Sequence, residues 1–243
     1  SAGVAYCWGE NDAGEIGDGN YMDRITPVTV SMPSGVTFTS ITAGDEYTCA
    51  LTSAGDAYSW GHNNWGKLGV GDGINRNTPV EVRMPTGVTF ASIDAGSSHT
   101  CALTSAGVAY CWGNNVYGKL GDGTGTSWST PVTVSMQTGV TFTSISAGHQ
   151  NTCALTSAGE AYCWGNNLYG QIGDGTTTDR NAPVAVSMPA GVTFDTISAG
   201  WGHTCAITST GTAYCWGKND YGQLGDGDDT NSTTPVAVSM QYM

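Results

Sequence analysis

The chain has 243 residues, 39% of them hydrophobic and 11% charged, and its 20 acidic against 7 basic side chains give a net charge of -13. That apolar content argues against disorder, and the acidity argues against a nucleic-acid or anionic-membrane surface, which needs basic residues. No run of 18 apolar residues exists to insert in a bilayer.

In chain order, the first residues, SAGVAYCWGE, lack the basic start and apolar core of a secretion leader. The tryptophans then set a ruler. Trp8, Trp60, Trp112, Trp164 and Trp216 recur every 52 residues, each followed by glycine. Pro27, Pro79, Pro131, Pro183 and Pro235 keep the interval, as do Met32, Met84, Met136, Met188 and Met240. A fixed period of this size means an array of one supersecondary unit. In the unit from Gly139 to Met188, four strand signals follow in order: VTFTSI, NTCALT, EAYCWG and APVAVSM. No window has helical period, so the class is all-β. Ser157-Ala158-Gly159 joins strands two and three as a hairpin loop with a left-handed third position. The proline opening strand four suits an outer edge, because it cannot donate to a ladder. Four strands per unit in radial array predict a β-propeller of 52-residue blades; a solenoid is the competitor.

Full sets of four strands run over 36-84, 88-136, 139-188 and 191-240, and the unit at 1-32 supplies strands three and four only. The residues 1-243 are therefore read as one propeller of four and a half repeats, with Ser1-Ala2-Gly3 inside a hairpin turn. Three arrangements fit that count: a piece of a longer propeller, an arc completed by another chain, or a strained five-unit ring. Open strand edges make self-association an expectation.

Facing positions in the hairpin pair six cysteines. Cys101 faces Cys111, Cys153 faces Cys163 and Cys205 faces Cys215, so three disulfides are predicted, each stapling one hairpin. Cys49 faces Ser59, and Cys7 lacks a partner strand, so both are read as unpaired small buried residues. Disulfides imply an oxidising compartment. With few lysines and many Thr, Ser, Asn and Gly, the expected location is secreted or cell surface.

The positions that vary between repeats are candidates for recognition. One set is Asp45-Glu46-Tyr47, Ser97-Ser98-His99, His149-Gln150-Asn151 and Trp201-Gly202-His203, in equivalent loops that a propeller gathers on one face. His99 and His203 share a repeat position and suit packing or hydrogen bonding better than catalysis. A second set, Ala13, Trp65, Tyr117, Tyr169 and Tyr221, precedes the glycine of an Asn-x-x-Gly turn. It suits packing between blades or an aromatic binding ring. The Gly-Asp-Gly turns at Asp18, Asp72, Asp122, Asp174 and Asp226 offer too few carboxylates for calcium, so no metal and no cofactor is expected. Asn231-Ser232-Thr233 matches a glycosylation sequon. No Ser-His-Asp order or phosphate loop appears, and Asp45 with Glu46 is the one acidic pair that an enzyme could use.

Ala95 to Gly123, AGSSHTCALTSAGVAYCWGNNVYGKLGDG, resembles the repeat of the regulator of chromosome condensation family, and AGWGHTCAIT with CWGKNDYGQLGDG repeats the pattern in the last unit. The resemblance implies a propeller, usually of seven blades, whose activities are binding: nucleotide exchange on a small GTPase, chromatin docking or β-lactamase inhibition. The cysteines and acidic loops look most like the secreted bacterial members. The resulting expectation is a non-catalytic module that binds a protein or glycan, or a structural assembly unit. The alternatives are an extracellular carbohydrate-active enzyme and exchange-factor-like or inhibitor-like binding.

Overall fold

The structure, a computed structural model, describes residues 3–239. Ser1 and Ala2 of the expected first turn, and Met240, lie outside the described residues. Two compact units divide the chain: Ser1–Asn115 with Thr126–Thr133, and Val116–Gly125 with Val134–Met243.

The first unit opens with a two-stranded antiparallel sheet of β1 (Tyr6–Gly9) and β2 (Arg24–Thr29). A four-stranded sheet follows: β3 (Phe38–Ala43), β4 (Tyr47–Thr52), β5 (Ala57–Gly61) and β6 (Arg76–Glu81). The next is β7 (Ser92–Ala95), β8 (His99–Leu103), β9 (Ala109–Gly113) and β10 (Trp128–Thr133). The second unit holds two more such sheets. One is β11 (Ser144–Ala147), β12 (Asn151–Leu155), β13 (Ala161–Gly165) and β14 (Arg180–Ala185). The other is β15 (Thr196–Ala199), β16 (His203–Ile207), β17 (Ala213–Gly217) and β18 (Ser232–Ala237). Within each sheet the strands pair in sequence order and antiparallel, the arrangement of a propeller blade.

The hairpin between the second and third strands forms as expected. Gly159 donates to Thr156 O at 3.0 Å and holds φ +76°, a conformation cheap only for glycine. Its register brings Cys101, Cys153 and Cys205 opposite Cys111, Cys163 and Cys215, and all three pairs are disulfides with Cα atoms 4.1 Å apart. Cys49 lies opposite Ser59 and is buried, whereas Cys7 is half-buried. Burial pushes the Cys49 thiol up to about 12 and the Cys7 thiol up to about 11.

Two strand boundaries differ from the sequence reading. The first strand of the 139-188 unit covers Ser144–Ala147 and not VTFTSI. Phe142 lies ahead of the strand and stacks on Trp164 at 6.0 Å, whereas its counterpart Phe38 makes the same stack on Trp60 from within β3. The fourth strand begins earlier, at Arg180, so Pro183 sits inside it and does not open it. A register shift between Cys163 and Gly165 absorbs the missing donor, and the strand is the sheet edge, where proline is tolerated.

Packing runs from blade to blade inside each unit. In the first, Trp112 is buried with Leu51, Ala57, Val82, Phe90 and Ala102. In the second, Trp216 is buried with Leu155, Ile172, Val186 and Phe194. Gly121 shows why this contact needs glycine: a Cβ there would lie 2.6 Å from Nε1 of Trp164, and φ is +71°.

Candidate functional site

Hydrogen bonds in the second strand fix the loops above it. Thr48 Oγ1 donates to Glu15 O at 2.9 Å, and Thr100, Thr152 and Thr204 donate to the carbonyls of Lys67, Lys119 and Gln171 at 2.8 Å. Each bond reaches 33 residues back, into the preceding repeat. The loop just before each threonine carries the residues singled out by their variation.

These triplets divide by depth. The third member points into the protein: Tyr47, His99 and Asn151 are buried, and His203 is half-buried. Tyr47 donates to His99 O at 2.7 Å, and Asn151 Nδ2 donates to Thr204 Oγ1 at 3.2 Å. The first two members reach solvent in three triplets. Asp45, Glu46 and Trp201 are exposed, and Ser97, Ser98, His149 and Gln150 are half-buried; Gly202 is buried. The sequence grouped all three members together, but the third serves the fold.

In the first unit, Lys67 lies beneath Asp45 and Ser97. Its Nζ donates to Asp45 O at 2.6 Å and Ser97 O at 3.4 Å and sits 4.7 Å over the Tyr47 ring. Burial lowers its pKa, against the opposing pull of Asp45 and Glu46. Lys119, in the second unit, is also buried, and burial lowers its pKa to about 8. Above Lys67, the acidic pair diverges: Asp45 Oδ2 accepts from Ser97 Oγ at 3.2 Å, and Glu46 Oε2 lies 2.8 Å from His62 Nδ1. Glu46 holds φ 62°, a left-handed conformation that sets its side chain outward. A groove of about 480 Å³ runs beside this loop, lined by Trp8, Glu10, Glu15, Asp45, Glu46 and Tyr47 among others.

In the second unit, Trp201 lies 5.6 Å from His149 and 6.4 Å from Tyr169, ring to ring. Lys218 Nζ sits 4.9 Å over Trp201 and 5.1 Å over Tyr169, and 3.4 Å from Asp220 Oδ2. The sequence reading did not single out Lys218. Only the repeat ruler, which places it beside the Asn-x-x-Gly turn, could have flagged it.

The aromatic positions before the turn glycine are mostly not inter-blade packing. Trp65, Tyr117 and Tyr221 are 60%, 44% and 87% exposed, Tyr169 is half-buried, and Ala13 is buried. Trp65 and Tyr117 hold φ 65° and 70°, a left-handed strain that burial does not offset.

Three of the turns with aspartate are tied by ion pairs. Asp18, Asp72 and Asp174 pair with Arg24, Arg76 and Arg180 at 2.6 to 2.7 Å. Behind them lies a buried asparagine that sequence reasoning passed over. Asn167 Nδ2 donates to Thr176 O and Thr178 O at 3.0 and 3.1 Å, and its Oδ1 accepts from Ile172 N at 3.0 Å. Asn11, Asn63 and Asn219 make the same set of bonds. Among the described residues, no group of three or more His, Cys, Asp or Glu converges as a metal site. No helix among the described residues is long and apolar enough to cross a membrane.

Sequential four-stranded blades stapled through their second strands define a β-propeller repeat protein. The chain belongs to the RCC1-like domain family, which matches residues 1–242. It is 35% identical over 233 residues to the ultraviolet-B receptor UVR8 of Arabidopsis thaliana, across 96% of this chain and 53% of that protein. It is 33% identical over 241 residues to the human (Homo sapiens) E3 ubiquitin-protein ligase HERC2, across 98% of this chain and 5% of that protein. Yeast RCC1 (Prp20), solved bound to Kap60, superposes with a TM-score of 0.84 at 21% identity, over 98% of this chain and 57% of that one. The chain thus spans about half the length of UVR8 and a small part of HERC2.

Proposed function

We propose that this chain is a non-catalytic recognition module of a secreted or cell-surface protein, presenting its propeller loops to a protein or glycan partner. The repeats at 1-32, 36-84, 88-136, 139-188 and 191-240 serve it as one scaffold. One observation carries the reading: each varying loop triplet keeps a buried or half-buried third member for the fold and leaves the positions ahead of it to vary. Asp45, Glu46, Ser97, Ser98, His149, Gln150 and Trp201 are the contact residues of this reading; Gly202 sits with them, and Tyr47, His99, Asn151 and His203 hold them in place.

Relatives support a binding role. Yeast RCC1 is bound by Kap60, and Prp20p of Saccharomyces cerevisiae is described by its binding to Gsp1p and histones. The three disulfides support an oxidising location. Asp45 and Glu46 turn to different partners, Ser97 and His62, which supports a contact role for this pair. The test is affinity capture on the immobilised chain followed by mass spectrometry. A partner retained by the wild type and lost from a variant combining Glu46→Ala, Ser98→Ala and Gln150→Ala supports the reading. A partner retained equally by both overturns it.

A further inference from the structure

The loop at Trp201 departs from its counterparts in a way the fold does not require. The same repeat position holds Asp45, Ser97 and His149 elsewhere, so no blade needs an indole there. Trp201 is nevertheless 55% exposed while held on several sides. His149 and Tyr169 flank it at 5.6 and 6.4 Å, and Lys218 Nζ lies 4.9 Å over its ring. Lys218 also spans Tyr169 at 5.1 Å and Tyr221 at 5.9 Å, so one ammonium ties three rings together. The next residue leaves room beside these rings. Where other loops carry Glu46, Ser98 and Gln150, this one has Gly202. A Cβ there would lie 3.3 Å from Tyr169 Cδ2, so that ring would have to shift slightly, and in ordinary contact with Lys218 Cβ at 3.5 Å. Lys218 N donates to Gly202 O at 2.8 Å and closes the cluster.

The result is a half-open indole with the Lys218 ammonium over part of its ring and the Asp220 carboxylate beside that ammonium. Lys218 offers donors, Asp220 Oδ2 offers an acceptor 3.4 Å from them, and the His149 ring lies 5.6 Å from the indole. A flat apolar face ringed by closely spaced donors and acceptors matches the chemistry of a pyranose. Its axial C–H bonds form an apolar face, and its equatorial hydroxyls project sideways as paired donors and acceptors. A net charge of -13 disfavours an anionic ligand and leaves a neutral one unaffected. We propose that Trp201, Tyr169, Lys218 and Asp220 form a binding site for a neutral, equatorially substituted pyranoside chain, with one sugar ring stacked on Trp201. A β-1,4-linked glucopyranosyl chain has that shape, because every ring carries its substituents equatorially. This inference rests on the proposed recognition role and names the sugar that the loop at Trp201 would take; protein capture is tested at other loop positions.

The test uses cellohexaose and chitohexaose as probes of the full chain, read by saturation transfer from protein aromatic protons and by titration calorimetry. The expected result is transfer to the axial ring protons of at least one probe, weaker transfer to α-linked maltohexaose, and an affinity reduced about tenfold or more in Trp201→Ala. Trp201→Phe should keep part of the affinity, and Ile25→Ser, on an exposed residue of the first unit, should keep all of it. Trp201 is 55% exposed, so Trp201→Ala should still unfold cooperatively with a modestly lower melting temperature, and a folded variant separates lost binding from lost folding. Absence of transfer to both β-linked probes, or equal affinity in Trp201→Ala, overturns the proposal. Neither result bears on protein capture, which is scored with Trp201 intact.

Discussion

A fourth hairpin staple should form if Ser59 is changed to cysteine. Cys49 and Ser59 occupy the same cross-strand register as the three bridged pairs, and the bridge would span the same separation of 10 residues. The chain-entropy estimate for a loop of about ten residues is roughly 9 cal/mol/K, or about 2.7 kcal/mol at 25 °C. Against this stands the loss of one buried hydrogen bond, from Ser59 Oγ to Leu68 O, which costs about 1 kcal/mol. The net gain of about 1.5–2 kcal/mol corresponds to a rise in melting temperature of roughly 3–7 °C for a chain of this size. Two assays check it. Thiol titration under denaturing, non-reducing conditions should find two thiols in the wild type and one in Ser59→Cys. Calorimetry should show the rise in the oxidised variant and its loss on reduction. Three thiols, or a lower melting temperature in the bridged protein, would refute the register argument.

Three further outcomes are expected. Asn219→Leu strips two carbonyls and one amide of their buried partner, so denaturant unfolding should show a loss of about 2–4 kcal/mol. Gly121→Ala places a Cβ against Trp164 at a left-handed φ and should cost more than the roughly 1 kcal/mol of the backbone term alone, seen as a lower urea midpoint. Acid stability should fall in two stages. Burial lowers the His203 pKa, so its neutral form favours folding and that stability is lost as pH falls through the ordinary value near 6.5. His203→Asn, the residue found at Asn151, should remove this stage from a melting-temperature profile against pH. For Asp174, burial raises the pKa, but hydrogen bonds from Thr176 and Arg180 outweigh it and leave the pKa below 3.8. Its contribution persists above that value and is lost as pH falls further; Asp174→Asn should flatten that stage.

The repeat period made most of the blade legible. It located the second and third strands, because NTCALT and EAYCWG are short, apolar and joined by a glycine turn. It also paired six cysteines by register alone. The first strand was misplaced because VTFTSI alternates as a strand does, although only its last two residues, Ser144 and Ile145, fall within the paired strand. The fourth was misplaced because a bulge lets proline sit inside it. The varying loops were legible as positions but not as depths, since Tyr47, His99 and Asn151 differ in polarity yet are all buried. The cluster at Trp201 was hidden because its members, Tyr169, Trp201 and Lys218, come from different turns of two repeats.

The central claim is that the outer members of the loop triplets recognise a partner while the inner members hold the blades. The most direct measurement is the affinity of a captured protein partner for the wild type and for the Glu46→Ala, Ser98→Ala, Gln150→Ala variant, with both melting temperatures recorded. The account predicts lost binding at an unchanged melting temperature. Binding equal to the wild type at the same melting temperature would contradict it.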